Sequence, residues 1–227
     1  MKSFTSLTAS AIAVALVSSA EGAWIAGWSM PNSMTSFTGS AYSIGIADQG
    51  DQTAGSELRG YHALATTVWS SPSGNGSPYS FSSNGWSVGD YYEVRVSTSN
   101  YSDISLSWDQ TRSSTGPSSF RVDVSTDGTN FTTLLASYTV MQAGASGTNT
   151  LSWSVNAGVQ SAFTRVLSSI AGADNQGTVV FRFVNLSTVA ATGTNRIDNI
   201  IVSGTLIPAP GAVALLAVAG LASRRRR

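Results

Sequence analysis

The chain offers a narrow set of reactive side chains. Among its 227 residues there is one histidine, His62, and no cysteine. Thiolate nucleophiles and disulfide staples are therefore outside its chemistry. A serine triad would have to use His62 as its base, and no G-x-S-x-G elbow marks a nucleophile for it. Zinc is poorly served by one histidine and carboxylates alone. The simpler reading of His62 is a half-buried strand residue beside Tyr61. Carboxylates are the remaining acid–base groups. Asp48 and Asp51 share one polar loop, Asp103 and Asp109 bracket a strand, and Asp123 and Asp127 lie near a turn. None sits in a glycosidase motif, so polysaccharide hydrolysis, which needs two carboxyls at a set separation, is the weakest functional reading.

Two other chemistries suit the composition better. Calcium takes carboxylate and carbonyl oxygens, which Gly- and Asn-rich loops supply. Asp198 falls between Ile197 and Ile200 in a strand pattern, where an unpaired buried charge is costly. A calcium ion shared with Asp48 or Asp51 would compensate it, as would an arginine such as Arg196 or Arg182. A third reading has Asp198 and Asn199 bonding loop amides. No other cofactor is expected. Aromatics supply the second chemistry, stacking against sugar rings. Trp108 and Trp153 sit in apolar registers and read as core. Trp86 follows Asn84-Gly85 and Trp69 precedes a Ser-Pro-Ser-Gly loop, so these two and Tyr79 are the expected exposed platform for a glycan.

Strands must position these groups. Tyr91 to Val96 alternates, as do Ile104 to Trp108 and Phe120 to Val124, and further runs cover Leu134 to Val140, Thr150 to Val155, Thr178 to Val184 and Arg196 to Val202. Period-2 runs separated by Gly, Ser, Asn and Asp predict an all-β protein, an antiparallel β-sandwich or jelly roll. Asp127-Gly128 predicts a hairpin between a strand ending near Ser125 and one opening at Phe131. Phe163, Val166, Leu167 and Ile170 recur at helical spacing and predict one short helix, stopped by Gly172. With no internal repeat or long linker, residues 23–206 read as one domain.

Charge narrows the partners. Between residues 23 and 207 there are seven Arg, no Lys and eleven Asp or Glu, so the body carries 7 − 11 = −4. Nucleic acid needs clustered cations, and this body is a poor match for it. The balancing positive charge lies at the ends. Residues 1–20 have Lys2, an apolar run from Leu7 to Val17 and small residues at Ser18 and Ala20, the layout of a secretory signal peptide cut after Ala20, or alternatively after Gly22. Residues 207–227 read IPAPGAVALLAVAGLASRRRR. The apolar run from Ala212 to Ala222 is short against the ~20 residues of a membrane span, and Arg224, Arg225, Arg226 and Arg227 would halt translocation behind it. This predicts a hydrophobic helix that enters the membrane transiently, or an ordinary single-span anchor.

Together these ends resemble the PEP-CTERM sorting signal: Pro208-Ala209-Pro210, then Gly211 and the apolar run, then the arginine cluster. Ala209 stands where the family's naming motif has Glu. The resemblance covers about the last 21 residues and implies recognition by an exosortase-type sorting enzyme, after signal peptidase has acted at the other end. It implies export to a bacterial surface or extracellular matrix. The stretches STDGTNF and RIDNIIVSG also resemble exported jelly-roll domains that precede such tails, an architecture shared with carbohydrate-binding modules. In jelly-roll sugar binders of that kind an acid on the last strand helps hold a structural calcium, which the resemblance would place at Asp198. The leading expectation is therefore a non-enzymatic structural or adhesive surface protein. The alternative is a lectin-like jelly-roll module that binds extracellular polysaccharide.

Overall fold

The computed structural model describes residues 22–144 and 151–208. In chain order its strands are β1 (Ala23–Trp28), β2 (Phe37–Thr38), β3 (Ala41–Gly45), β4 (Glu57–Tyr61), β5 (Val68–Ser70), β6 (Phe81–Ser83) and β7 (Tyr91–Val96). They continue as β8 (Tyr101–Arg112), β9 (Ser119–Ser125), β10 (Thr132–Thr139), β11 (Met141–Gln142), β12 (Thr164–Leu167), β13 (Val179–Asn185) and β14 (Asn195–Leu206). One sheet runs β11-β8-β14-β6-β5-β2, with β1 added against β14 and β12 against β8. The other runs β10-β9-β13-β7-β4-β3. Apart from the short parallel β11–β8 pair, the pairings among described residues are antiparallel. This is an all-β sandwich with a jelly-roll-like arrangement of sheets.

Alternation builds the core. On β13, Phe181 and Phe183 turn inward, and Phe183 meets Trp108 of the opposite sheet at 4.9 Å between ring centres. On β9, Phe120, Val122 and Val124 turn the same way, and Phe120 meets Trp86 edge-on at 5.4 Å. Burying one such ring contributes on the order of 2–3 kcal/mol. The hairpin expected at Asp127-Gly128 joins β9 to β10, and Gly128 takes φ +77, the left-handed conformation that glycine enters without a Cβ penalty.

Two expectations change. The segment expected as a helix from Phe163 to Ile170 is one 3-10 turn, Ser161–Phe163, followed by β12, which pairs with β8 from Thr164↔Asp109 to Leu167↔Leu106. Val166, which a helix would have buried, is 61% exposed. Hydrogen bonding to an unfilled edge of β8, with the β-branched Thr164 and Val166, outweighs a four-residue apolar coincidence. Residues 151–155, expected as a strand, have no regular structure, although Trp153 is buried against Phe163. The expected signal helix at residues 1–20 and the sorting helix lie outside the described residues. So do Ala209, Pro210, Gly211 and Arg224 to Arg227, while Pro208 is described and exposed. Among the described residues no helix is long and apolar enough to cross a membrane.

Candidate functional site

The expected aromatic platform does not form. Trp69 is 0% exposed, stacked on Phe81 at 5.1 Å, with its indole N–H donating to the Gly39 carbonyl at 2.8 Å. Trp86 is 4% exposed, and its N–H donates to the Ser83 carbonyl at 3.0 Å. Tyr79 is half-buried and packs against the core. The loops around these residues are polar in sequence, but they fold their aromatics inward because an indole buries a large apolar surface once its N–H has a carbonyl partner.

The three acids expected around calcium are also not brought together as a group. Asp48 accepts from the Ser29 backbone N–H and hydroxyl, both at 3.0 Å. Asp51 accepts from the Tyr101 hydroxyl at 2.8 Å. Both are exposed, whereas Asp198 is 0% exposed and engages a different loop. Among the described residues no cluster of three acidic, His or Cys side chains forms.

His62 has a setting that the sequence did not reveal. It lies just past β4 and is buried rather than half-buried. Ser83 Oγ is 3.2 Å from Nε2, while Nδ1 faces Thr67 Oγ1 at 3.1 Å and Asp90 Oδ2 at 3.4 Å. The residue types match a catalytic triad, but all of them are buried, and Trp86 and Trp69 lie 4.2 and 4.7 Å from the imidazole. No substrate reaches this serine. Burial takes the imidazole down to about 4, against backbone hydrogen bonds to Gly85 and Asn84 that pull the other way. A neutral, structural histidine is the result.

A second buried polar cluster lies on the outer side of the other sheet. Asp198 of β14 and Asp109 of β8 are direct cross-strand partners. Trp108 points into the core, so Asp109 beside it points away, beneath the loops that hold Asn75 and Gln160. Asn75 ties these parts together. Its backbone N–H donates to Asp198 Oδ2 at 2.8 Å, its Nδ2 donates to Asp109 Oδ2 at 2.8 Å, and its Oδ1 accepts the Gln160 N–H at 2.9 Å. Ser77 donates to Asp198 Oδ2 at 2.6 Å, Asn199 Nδ2 donates to Asp109 Oδ2 at 2.8 Å and Thr164 donates to Asp109 Oδ1 at 2.5 Å. The pairing register of β14 shifts between Asp198 and Ile201, and Asn199 takes φ +46 there. This bulge turns the Asn199 amide onto Asp109 and leaves Asp198 on the outer side. Burial raises the Asp198 carboxyl to about 7, opposed by Ser77 and the Asn75 and Asn199 amides and reinforced by the charge of Asp109.

The outer side of the six-stranded sheet carries a half-exposed surface. Arg59 of β4, Glu93 of β7, Arg182 of β13 and Asp123 of β9 follow one another in register as a single row of alternating charge. Arg59 Nε donates to Glu93 Oε1 at 2.9 Å, and Arg182 Nε donates to Oε2 at 2.7 Å. Asp123 accepts from Arg121 Nε and from the Thr133 hydroxyl, each at 2.8 Å. The next row holds Tyr61 opposite Tyr91, ring centres 5.2 Å apart. The Arg182 guanidinium lies 4.4 Å from the Tyr91 ring centre and 3.8 Å from that of Phe131, and Arg59 lies 5.0 Å from Tyr61. Ion pairs and cation–π contacts thus fix the orientation of rings and guanidiniums before any ligand arrives. Such a surface can pack against the apolar face of a sugar ring while N–H and carboxylate groups meet its hydroxyls. Alternation in YYEVRV pointed Tyr91, Glu93 and Arg95 to one side of their strand. Nothing in the sequence said which strands would lie beside them.

This chain is a β-sandwich of the jelly-roll-like class. No family model matches it, and no curated protein matches it. Among solved structures it is similar to TmCBM61 in complex with β-1,4-galactotriose, at 11% identity and TM-score 0.37, covering 66% of this chain and 88% of that one. It is also similar to CtCBM11, at 13% identity and TM-score 0.42, covering 83% and 99% respectively. A third is the K3 cleaved adhesin domain of Lys-gingipain from Porphyromonas gingivalis W83, at 13% identity and TM-score 0.43, covering 80% and 100%. Several of the similar structures are therefore carbohydrate-binding modules. All three TM-scores lie below 0.5, so the function of this chain has to be read from its own residues.

Proposed function

We propose that this chain is an exported, non-enzymatic carbohydrate-binding module that engages extracellular polysaccharide through the outer face of its six-stranded sheet. The observation that carries this reading is the Tyr61–Tyr91 pair locked in place by Arg59, Arg182 and Glu93. Half-exposed aromatic rings flanked by fixed hydrogen-bonding groups are the chemistry a sugar ring needs. A purely structural surface or matrix role, the leading expectation from the sequence, gives no reason for that arrangement. Hydrolysis of the glycan is the weaker reading, because the buried serine, histidine and aspartate cannot be reached and the Glu93 and Asp123 carboxylates of the proposed face are already ion-paired. Export rests on the two ends of the sequence. Signal peptidase and an exosortase-type enzyme are the processing partners proposed there, with transient membrane insertion through the apolar tail.

Affinity electrophoresis of the folded protein in gels containing soluble glucans, galactans and uronic-acid polymers tests the proposal. Retardation by at least one polymer is expected. Tyr91→Ala should weaken that binding roughly tenfold or more. Folded protein, verified by circular dichroism, that migrates unretarded in every polymer would sink the proposal and return the structural surface role to first place.

A further inference from the structure

One step along β7 from the row of alternating charge lies an arginine without a partner. Arg95 is two residues beyond Glu93 and four beyond Tyr91, on the same side of the strand, between Glu57 of β4 and Val180 of β13. Its guanidinium reaches the β9–β10 turn, where a Cβ added to Gly128 would lie 3.6 Å from one Nη and 3.8 Å from the other. Gly128 itself puts no side chain over it. Among the described residues Arg95 has no ion pair, and its side chain donates no hydrogen bond, whereas Arg59, Arg121 and Arg182 of the same face each do both.

The acids around it are turned elsewhere. Glu57 meets Arg59 Nη1 at 3.2 Å and accepts from the Ser43 hydroxyl at 2.9 Å. Glu93 is shared by Arg59 and Arg182, and Asp123 is taken by Arg121 and Thr133. Asp127, on the turn itself, accepts from the Thr129 and Asn130 backbone N–H groups at 2.8 and 2.7 Å and from the Asn130 side chain at 2.7 Å. The distribution of charge points the same way. Four of the seven body arginines lie on this face with four of the eleven acids, Asp127 included, so the face sums to 4 − 4 = 0 and the remainder to 3 − 7 = −4. Charges more than about 8 Å away are largely screened at physiological salt. A polyanion is therefore repelled by the rest of the body and admitted here.

We infer that Arg95 binds an oxyanion of the glycan, the carboxylate of a uronic acid or a sulfate ester, and so makes this surface selective for acidic polysaccharide. The inference rests on the reading of this face as the sugar-binding one. A guanidinium presents its N–H donors in a planar fork, from which two oxygens of such a group can accept together. Tyr91 and Arg95 are four residues apart on an extended strand, about 14 Å. A sugar chain that stacks on the Tyr61–Tyr91 pair and runs along β7 brings the anionic substituent of a later unit to Arg95. The rings hold a polymer, and Arg95 sets which polymer is held.

Affinity gels containing matched polymers test this. Alginate and polygalacturonate are each compared with the same polymer after reduction of its carboxyls to primary alcohols, and dextran sulfate is compared with dextran. At least one acidic polymer should bind the wild type about 3- to 10-fold more tightly than its neutral counterpart. Salt at about 0.5 M should erase the difference. Preference for the uronates or for dextran sulfate identifies the anion. Arg95→Gln should lose the preference while keeping the wild-type Tm, since it breaks no ion pair or hydrogen bond. Arg165→Gln, which removes the same charge from the other sheet, should keep the preference. Equal binding of acidic and neutral counterparts, or a preference that survives Arg95→Gln, overturns the inference and leaves the sugar-binding reading standing. No retardation by any polymer overturns both.

Discussion

Lowering the pH should destabilise this protein through His62 by an amount that the buried site fixes in advance. The imidazole titrates near 6.5 in an unfolded chain and near 4 in the fold, because Trp69, Trp86 and the surrounding β-strands exclude water from it. The folded value is the lower one, so the unfolded state takes up the proton first. The contribution of His62 is therefore fully present above pH 6.5 and is lost as pH falls from there through 4. Linkage gives a loss of about 2 kcal/mol at pH 5 and about 3 kcal/mol at pH 4. Other groups titrate over the same interval, so the quantity to measure is the difference between wild type and His62→Gln, from urea unfolding at pH 7, 6, 5 and 4. Any packing defect in the variant is a constant offset and cancels from the slope. The variant should gain about 2–3 kcal/mol relative to wild type between pH 7 and pH 4. A difference that stays flat across this range would show that the imidazole is hydrated or ion-paired to Asp90, and the sealed-cluster account would be wrong.

Other perturbations follow from contacts already described. Gly74→Ala places a methyl group against Ser77 Oγ, Asp198 Oδ2 and the Tyr79 carbonyl, and overpacking of this kind should lower stability by about 1–3 kcal/mol in urea unfolding. Trp69→Ala should cost about 3–5 kcal/mol yet leave polysaccharide retardation unchanged in the protein that remains folded, the reverse of the pattern expected for Tyr91→Ala. Loss of retardation in folded Trp69→Ala would place the sugar at the edge occupied by β5 and β2. Intact mass of the protein recovered from cells expressing the full sequence should show loss of residues 1–20 and of the arginine-bearing tail, and an uncut tail would point to a permanent anchor.

The strands were largely legible in the sequence, and the sites were not. Phe120 to Val124 and Thr178 to Val184 alternate because one side of each strand is core, and they lie within or almost within β9 and β13. Local pattern failed where a longer-range contact overruled it. Val166 and Leu167 had helical spacing, but an open edge of β8 was available to pair with them. Asn84-Gly85 correctly marks a loop, with Gly85 at φ +64, yet that loop tucks Trp86 under the core instead of displaying it. The Asp109–Asp198 pair joins residues that are neighbours only through the register of β8 on β14, and the Tyr61–Tyr91 pair depends in the same way on β4 and β7. Composition announces that acids and aromatics are plentiful. Which of them meet is decided by strand order, for which a single sequence holds no local signal.

The pairing of β1 with β14 has a consequence for how the body can be joined to other things. Ala23 opposes Gly204, so the first strand begins where the last one finishes. Chain entering the sandwich and chain leaving it run side by side at one doorway. Closing the doorway with a short Gly-Ser bridge and opening the chain instead at the Asp127-Gly128 turn should give a permuted protein with the same two sheets. By the same geometry the body can be spliced into a surface loop of a host protein without prising that loop apart.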